Sequence, residues 1–232
     1  MPTNLCLTGT DTGVGKTLVT CALLAACGAR GLRVAGMKPV ETGIATRHAG
    51  TDAARIRWAA GDVDAMDDVC PVTYEEPLAP LVAAERAGRL VRLAEIDAAR
   101  ARLAAGAPDG VVVEGAGGLL VPFTREHDLA ALALRWGSEL LVVAADRLGV
   151  LNHALLTVRE AERRGLRVRG VVLNATHPAP ADVAERTNLA VLRTLLPAVP
   201  VLPFPFVPSE AQGDRALLAA LGAPLAGLVL DG

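Results

Sequence analysis

Apolar residues fall along this chain in blocks of two kinds. Short, almost continuous apolar runs alternate with longer stretches in which apolar residues recur every three or four positions. The first kind reads as strands buried on both faces and the second as helices that pack on one face. The runs cover residues 5–7, 33–38, 110–114, 139–145, 168–173 and 199–202. Helices are predicted over 18–26, 53–60, 81–87, 93–105, 128–136, 181–195 and 214–221, with a further one running on to residue 164. Gly28 to Gly31 reads as the stop of the first helix. Residues 44–50 read as a loop and residues 61–80, with Pro71, Pro77 and Pro80, as irregular chain. Strands alternating with helices predict an α/β fold: one doubly wound, mostly parallel sheet, in a single domain over 1–232 with no repeat and no linker.

Composition narrows the class. The chain is 52% hydrophobic with a formal net charge of −2, so a real core is expected and disorder is not. No basic stripe appears, which argues against a nucleic-acid surface. No apolar run reaches a membrane-spanning length, and residues 1–20 lack a basic segment followed by an apolar one. A cytoplasmic protein with no membrane partner is the expectation. Cys6, Cys21, Cys27 and Cys70 form no Cys-x-x-Cys pair and read as small buried hydrophobes.

The first apolar run leads into Gly9-Thr10-Asp11-Thr12-Gly13-Val14-Gly15-Lys16-Thr17, and a helix follows. Strand, glycine-rich turn and helix is the setting of a phosphate-binding loop, as in P-loop NTPases. Glycines let successive N–H groups curl around a phosphate, and the helix begins there with unpaired donors. Lys16 can reach the terminal phosphates, and the Thr17 hydroxyl can ligate the accompanying Mg²⁺. The strict pattern places glycine where Thr10 stands; Gly9 is one residue early.

Of the 23 basic residues, Lys16 and Lys38 are the only lysines. Arginine serves elsewhere, so lysine marks places that need a compact ammonium. Lys38 ends a predicted strand, on the side where open α/β sheets hold ligands. Thr51-Asp52 caps the next helix; Asp52 reads as that cap or as a metal ligand, and the roles are not exclusive. Glu114 closes the run at 110–114, before Gly115-Ala116-Gly117-Gly118, where an acid faces the Mg²⁺ of a phosphate loop. His153 reads as a capping or packing residue. Asn174 is either a turn residue or a reader of a purine edge.

Together, Gly9 to Thr17, Lys38-Pro39-Val40-Glu41-Thr42-Gly43, Glu114 to Gly118 and Leu148-Gly149-Val150-Leu151-Asn152-His153 resemble the dethiobiotin synthetase family, in order and over nearly the whole chain. The resemblance implies an enzyme of biotin biosynthesis that joins 7,8-diaminopelargonate, CO₂ and ATP, with Mg²⁺, into dethiobiotin, ADP and phosphate. It accounts for the shifted loop glycine. It implies an ATP site made of Gly13, Val14, Gly15, Lys16, Thr17 and Leu18, of Glu114, Gly115, Ala116 and Gly117, and of Asp52. Asn174 and the loop at Pro205 would frame the adenine. Thr17, Asp52 and Glu114 would gather the metal, and Lys38 with Lys16 would be catalytic. Thr12 and Thr42 would hold the substrate. The family is homodimeric with a shared active site, so Gly149, Val150, Leu151 and Asn152 of a partner would bind the substrate carboxylate. Gly13 stands where many relatives carry an acid, and the segment after Leu202 matches only loosely.

Three other readings share the fold. Nucleotide-switched dimers that partition DNA carry an extra lysine early in the loop, where Asp11 stands here. An amidating ligase of cobalamin synthesis needs an attached glutaminase domain, for which 232 residues leave no room. A plain nucleotide-binding module would have no use for Lys38.

Overall fold

A computed structural model describes residues 3–45, 50–178 and 183–230. In chain order the elements are β1 (Thr3–Gly9), α1 (Lys16–Ala29), β2 (Val34–Met37), β3 (Val40–Thr42), α2 (Asp52–Ala59), α3 (Met66–Val69), β4 (Val72–Tyr74), α4 (Pro80–Arg86) and α5 (Leu93–Gly106). There follow β5 (Gly110–Gly118), α6 (Leu129–Arg135), β6 (Glu139–Ala145), α7 (Val150–Arg163), β7 (Val168–Asn174), α8 (Val183–Leu195), β8 (Val201–Phe204), a 3₁₀ turn (Ser209–Ala211) and α9 (Arg215–Leu230). Among the described residues the main sheet runs β2-β5-β1-β6-β7-β8, and every pairing in it is parallel.

The chain moves from β1 outward to β2, returns to β5, then proceeds through β6, β7 and β8 on the other side. Right-handed crossovers in opposite directions put helices on opposite faces, which is the doubly wound arrangement. The register decides where ligands can go. Leu7 pairs with Glu114, Met37 with Val113, and Ala145 with Asn174. The carboxyl ends of β1, β2, β5 and β7 therefore lie at one edge, beside the point where the strand order reverses. Strands β6 and β7 are buried nearly throughout, as two helical layers require.

Helix α1 is buried along most of its length, from Lys16 to Cys27. Val19, Leu23 and Leu24 have 2% exposure or less; burying each such side chain stabilises the fold by roughly 1.5–3 kcal/mol. One wall of this burial is α9, which approaches so closely at Gly222 that a Cβ there would lie 2.0 Å from the Ala22 carbonyl oxygen. All four cysteines are buried and outside any disulfide, and burial pushes the Cys6 and Cys21 thiols up to about 12.

Several boundaries differ from the sequence reading. Residues 61–80 are not simply irregular: they hold α3 and β4, and β4 pairs in parallel with β3 in a small second sheet. The last helix does not stop at residue 221 but continues through Pro224 to Leu230, because Gly222 serves close packing there and not termination. The loop expected over 44–50 lies partly outside the described residues, as does the predicted start of α8.

Candidate active site

The loop between β1 and α1 takes its shape from two glycines. Gly13 has φ +73° and Gly15, the N-cap of α1, has φ +93°. Both lie in the left-handed region that favours glycine. No side chain caps α1, so the helix presents its first N–H groups to whatever lies in the loop. The space over Gly15 is taken by Asn174, whose Nδ2 donates to the Val14 carbonyl at 2.9 Å. With Nδ2 donating there, Oδ1 is buried and has no hydrogen-bond partner among the described residues. Lys16 folds back so that Nζ donates to the Asp11 carbonyl at 3.1 Å.

The centre of the site is an ion cluster. Lys38 Nζ lies 2.6 Å from Glu114 Oε1 and 2.8 Å from Asp52 Oδ2. Glu114 also accepts from Thr17 Oγ1 at 2.9 Å and from Thr20 Oγ1 at 2.7 Å. Each member comes from a different turn of the fold: Lys38 follows β2, Asp52 opens α2, Glu114 sits in β5, and Thr17 opens α1. Glu114 is fully buried. It does not end its strand, as the sequence suggested: β5 runs on to Gly118, past a register shift opposite Leu7 and Gly9.

The electrostatics follow from crowding. Burial, and then the charge of Lys38, bring Lys16 down to about 8. Burial would lower Lys38 as well, but Glu114 and Asp52 outweigh it and hold the ammonium above its ordinary range. Burial would raise Asp52; the charge of Lys38 and its hydrogen bond instead hold it below the usual carboxylate range. The cluster thus gathers hard oxygen atoms around an ammonium held between two carboxylates.

A cavity of about 470 Å³ opens on this cluster. Thr12, Gly13, Gly15, Lys16, Thr17, Leu18, Lys38, Thr42, Asp52, Glu114, Ala116, Gly117 and Asn174 all line it, so most residues singled out in the sequence converge. Val14 is buried and contributes its carbonyl. Gly115 faces inward, where a Cβ would lie 2.1 Å from Leu129. Pro205 is exposed and outside the cavity; Phe206 and Val207 form that wall instead. Gly149 to Asn152 do not line this chain's cavity. Gly149 (φ +94°) starts α7 with no side-chain cap, which leaves that helix N-terminus open to an anion from outside. Asp52 is not the cap of α2: the Thr51 hydroxyl accepts from Ala54 N at 3.3 Å, and Asp52 is left to the cluster.

Sequence reasoning missed Thr20, Glu41, Arg55 and Gln212. Arg55 lies in the cavity wall and donates to Gln212 Oε1 at 2.8 Å. Helical spacing could have found two of them, since Thr20 follows Thr17, and Arg55 follows Asp52, by one turn. Glu41 and Gln212 give no such signal.

Comparison with known proteins gives the family. A family described as an AAA domain matches residues 3–205. A protein of Anaeromyxobacter dehalogenans (strain 2CP-C) named ATP-dependent dethiobiotin synthetase BioD is 46% identical over 222 residues, covering 95% of this chain and 98% of that one. Proteins of the same name from Aeromonas hydrophila and Thermodesulfovibrio yellowstonii are 38% and 35% identical, over 90% and 85% of this chain and 92% and 87% of theirs. Two solved structures share the fold. A ParA family ATPase from Chlorobium tepidum aligns with TM-score 0.53 at 13% identity, over 99% of this chain and 98% of its own. The septum site-determining protein MinD from Pyrococcus horikoshii aligns with TM-score 0.57 at 15% identity, over 99% and 94%.

Proposed function

The chain belongs to the ATP-dependent dethiobiotin synthetase family, and from that premise we propose how its cavity performs the reaction. The substrates are 7,8-diaminopelargonate, CO₂ and ATP; the products are dethiobiotin, ADP and phosphate. The observation that carries this reading is the convergence of the chain's only two lysines, Lys16 and Lys38, on one cavity.

The triphosphate lies in the loop from Gly9 to Thr17, held by backbone N–H groups and by Lys16. Burial draws Lys16 down to about 8 in the nucleotide-free site, and phosphate oxygens would favour its charged form. The oxygen set of Thr17, Asp52 and Glu114 fits Mg²⁺, which takes one or two carboxylates and completes its shell with phosphate and water. When bound, that ion would neutralise charge on the phosphates.

The chemistry then needs positioning and charge stabilisation. One substrate amine attacks CO₂, forms the N–C bond of a carbamate and releases a proton. A carbamate oxygen takes the γ-phosphoryl group as its bond to ADP breaks. The second amine attacks the carbamoyl carbon, phosphate leaves, and the cyclic urea closes. Lys38 lies beside the phosphate loop and would stabilise the anionic carbamate and its mixed anhydride with a compact ammonium. Thr12 and Thr42 offer hydroxyls to the substrate. Asn174 Oδ1, free to accept, suits the exocyclic amine of adenine, with Phe206 and Val207 as the flanking wall. A second copy of the chain would bring Gly149 to Asn152 to the substrate carboxylate and make the enzyme a homodimer. Its substrates and acidic balance fit a cytoplasmic protein with neither a nucleic-acid nor a membrane partner.

The test is a product assay with ATP, Mg²⁺, bicarbonate and 7,8-diaminopelargonate, read by mass for dethiobiotin. ATP consumption should require both the diamine and CO₂. Strong ATP hydrolysis with neither present, or stimulation by DNA or lipid, would point to a nucleotide-switched dimer instead.

A further inference from the structure

We propose that Glu41 is a positioning residue: by holding the main chain at the start of α2 it aims the Asp52 carboxylate into the cation cluster. Glu41 is the middle residue of the three-residue strand β3 and is only 6% exposed. A buried carboxylate is costly unless its oxygens are satisfied. Both are. Oε1 accepts from Asp52 N at 2.6 Å and Oε2 from Ala53 N at 3.1 Å. These are the first two N–H groups of α2, which no intrahelical carbonyl can reach. The negative charge also meets the positive end of the helix. The Thr51 hydroxyl serves the next N–H group, at Ala54.

The residue whose amide Glu41 holds is the residue whose side chain reaches Lys38. Asp52 is therefore gripped twice from one short segment, by Lys38 at its carboxylate (2.8 Å) and by Glu41 at its backbone (2.6 Å). It needs the second grip. The Glu114 side chain has no exposure and is fixed by the strand that bears it, whereas the Asp52 side chain is 39% exposed and lacks such walls. The pairing of β3 with β4, which sets Glu41 opposite Thr73, braces the strand that does the holding. Glu41 acts on the cluster through the main chain: its two oxygens hold the amides of Asp52 and Ala53. Removing it would free the first turn of α2 and let Asp52 swing away from the cluster.

The inference rests on Asp52 being a ligand of the divalent ion, and the experiment separates the two. Glu41→Ala, Glu41→Gln and Asp52→Asn are compared with the wild type in the full-length protein. Readouts are the Mg²⁺ concentration for half-maximal turnover, Mn²⁺ binding by electron paramagnetic resonance with a non-hydrolysable ATP analogue, metal-free nucleotide affinity, and urea denaturation. Glu41→Ala should raise the half-saturating metal concentration and weaken Mn²⁺ binding roughly tenfold or more, the usual effect of losing a group that orients a ligand. Turnover at saturating metal and metal-free nucleotide affinity should stay near wild type. Glu41→Gln keeps one acceptor and opposes the other amide with a donor, so its shift should be intermediate. Wild-type metal dependence in folded Glu41→Ala, or in Glu41→Gln should the alanine variant not fold, overturns the proposal. So does a loss of turnover that saturating metal does not restore. If Asp52→Asn leaves metal dependence unchanged, the ligand assignment itself fails, whatever the Glu41 variants do.

Discussion

Removing the ammonium of Lys38 should damage stability and chemistry by separable amounts. Lys38→Met keeps the length of the stem and deletes the charge. The side chain is 6% exposed and bridges Glu114 at 2.6 Å and Asp52 at 2.8 Å. Once it is gone, Glu114 keeps, among the described residues, the hydroxyls of Thr17 and Thr20 and no access to water. Breaking such a buried pair costs about 3–5 kcal/mol. Asp52 adds little to that cost, because solvent can replace its lost partner. For a chain of this size the loss corresponds to a fall in thermal midpoint of roughly 6–20 °C. Turnover should drop roughly 10²–10³-fold, as when one preorganised donor to a developing anion is lost. ATP should still bind, since Lys16 and the loop amides remain and Lys16 is relieved of a like charge. Lys38→Arg keeps the charge but forces a broad plane into a closed slot. It should cost about 1–3 kcal/mol from overpacking and leave turnover unrescued. Thermal unfolding, turnover and nucleotide titration on the two variants side by side decide the matter. An arginine variant with most of the wild-type rate would reduce Lys38 to a generic counter-charge. Collapse of ATP binding with the residual rate intact would assign Lys38 to the nucleotide, and an unshifted midpoint in the methionine variant would refute the stability argument.

Two further outcomes follow from the same geometry. Lys16 sits at about 8 in the nucleotide-free protein, chiefly through burial and then through Lys38; it is charged below that pH and neutral above it. Phosphate binding favours the ammonium, so ATP binding near pH 8 should take up about half a proton, and affinity should fall as pH rises further. Calorimetric enthalpies independent of the buffer's ionisation heat would count against this. The second concerns assembly: Leu148 and Leu156 are 79% and 61% exposed near the uncapped start of α7 and on its body. The double change Leu148→Asp, Leu156→Asp should yield a monomer with little activity, measured by light scattering and by specific activity against protein concentration. A fully active monomer would remove the shared site.

The main sheet and the cation cluster were legible because each rests on a strong local signal. Buried parallel strands leave unbroken apolar runs such as 139–145, and a glycine loop before a helix admits few readings. Lysine scarcity singled out Lys38 without any structural knowledge. What escaped depends on contacts between distant segments. Strands β3 and β4 have three residues each, too few for a period to show. Glu41 looks like any strand acid until α2 is seen to begin at its carboxylate. Gly222-Ala223-Pro224 reads as a helix stop, and only the closeness of α1 explains why the helix passes through it. The resemblance put the loop at Pro205 beside the adenine; Pro205 itself is exposed, and its neighbours Phe206 and Val207 line the cavity.

Because the two lysines share one cavity and every other basic residue is arginine, amine chemistry on this protein is confined to one place. The α-amino group aside, reductive methylation with ¹³C-labelled formaldehyde would put spectroscopic labels nowhere but beside the phosphate loop. The two amines would not be equivalent. Lys16 is the half-neutral amine near pH 8 and so the nucleophile, while Lys38 is locked as a cation between carboxylates. A mild acylating reagent at that pH would find a single reactive side chain in 232 residues, and its rate would report directly on who occupies the loop.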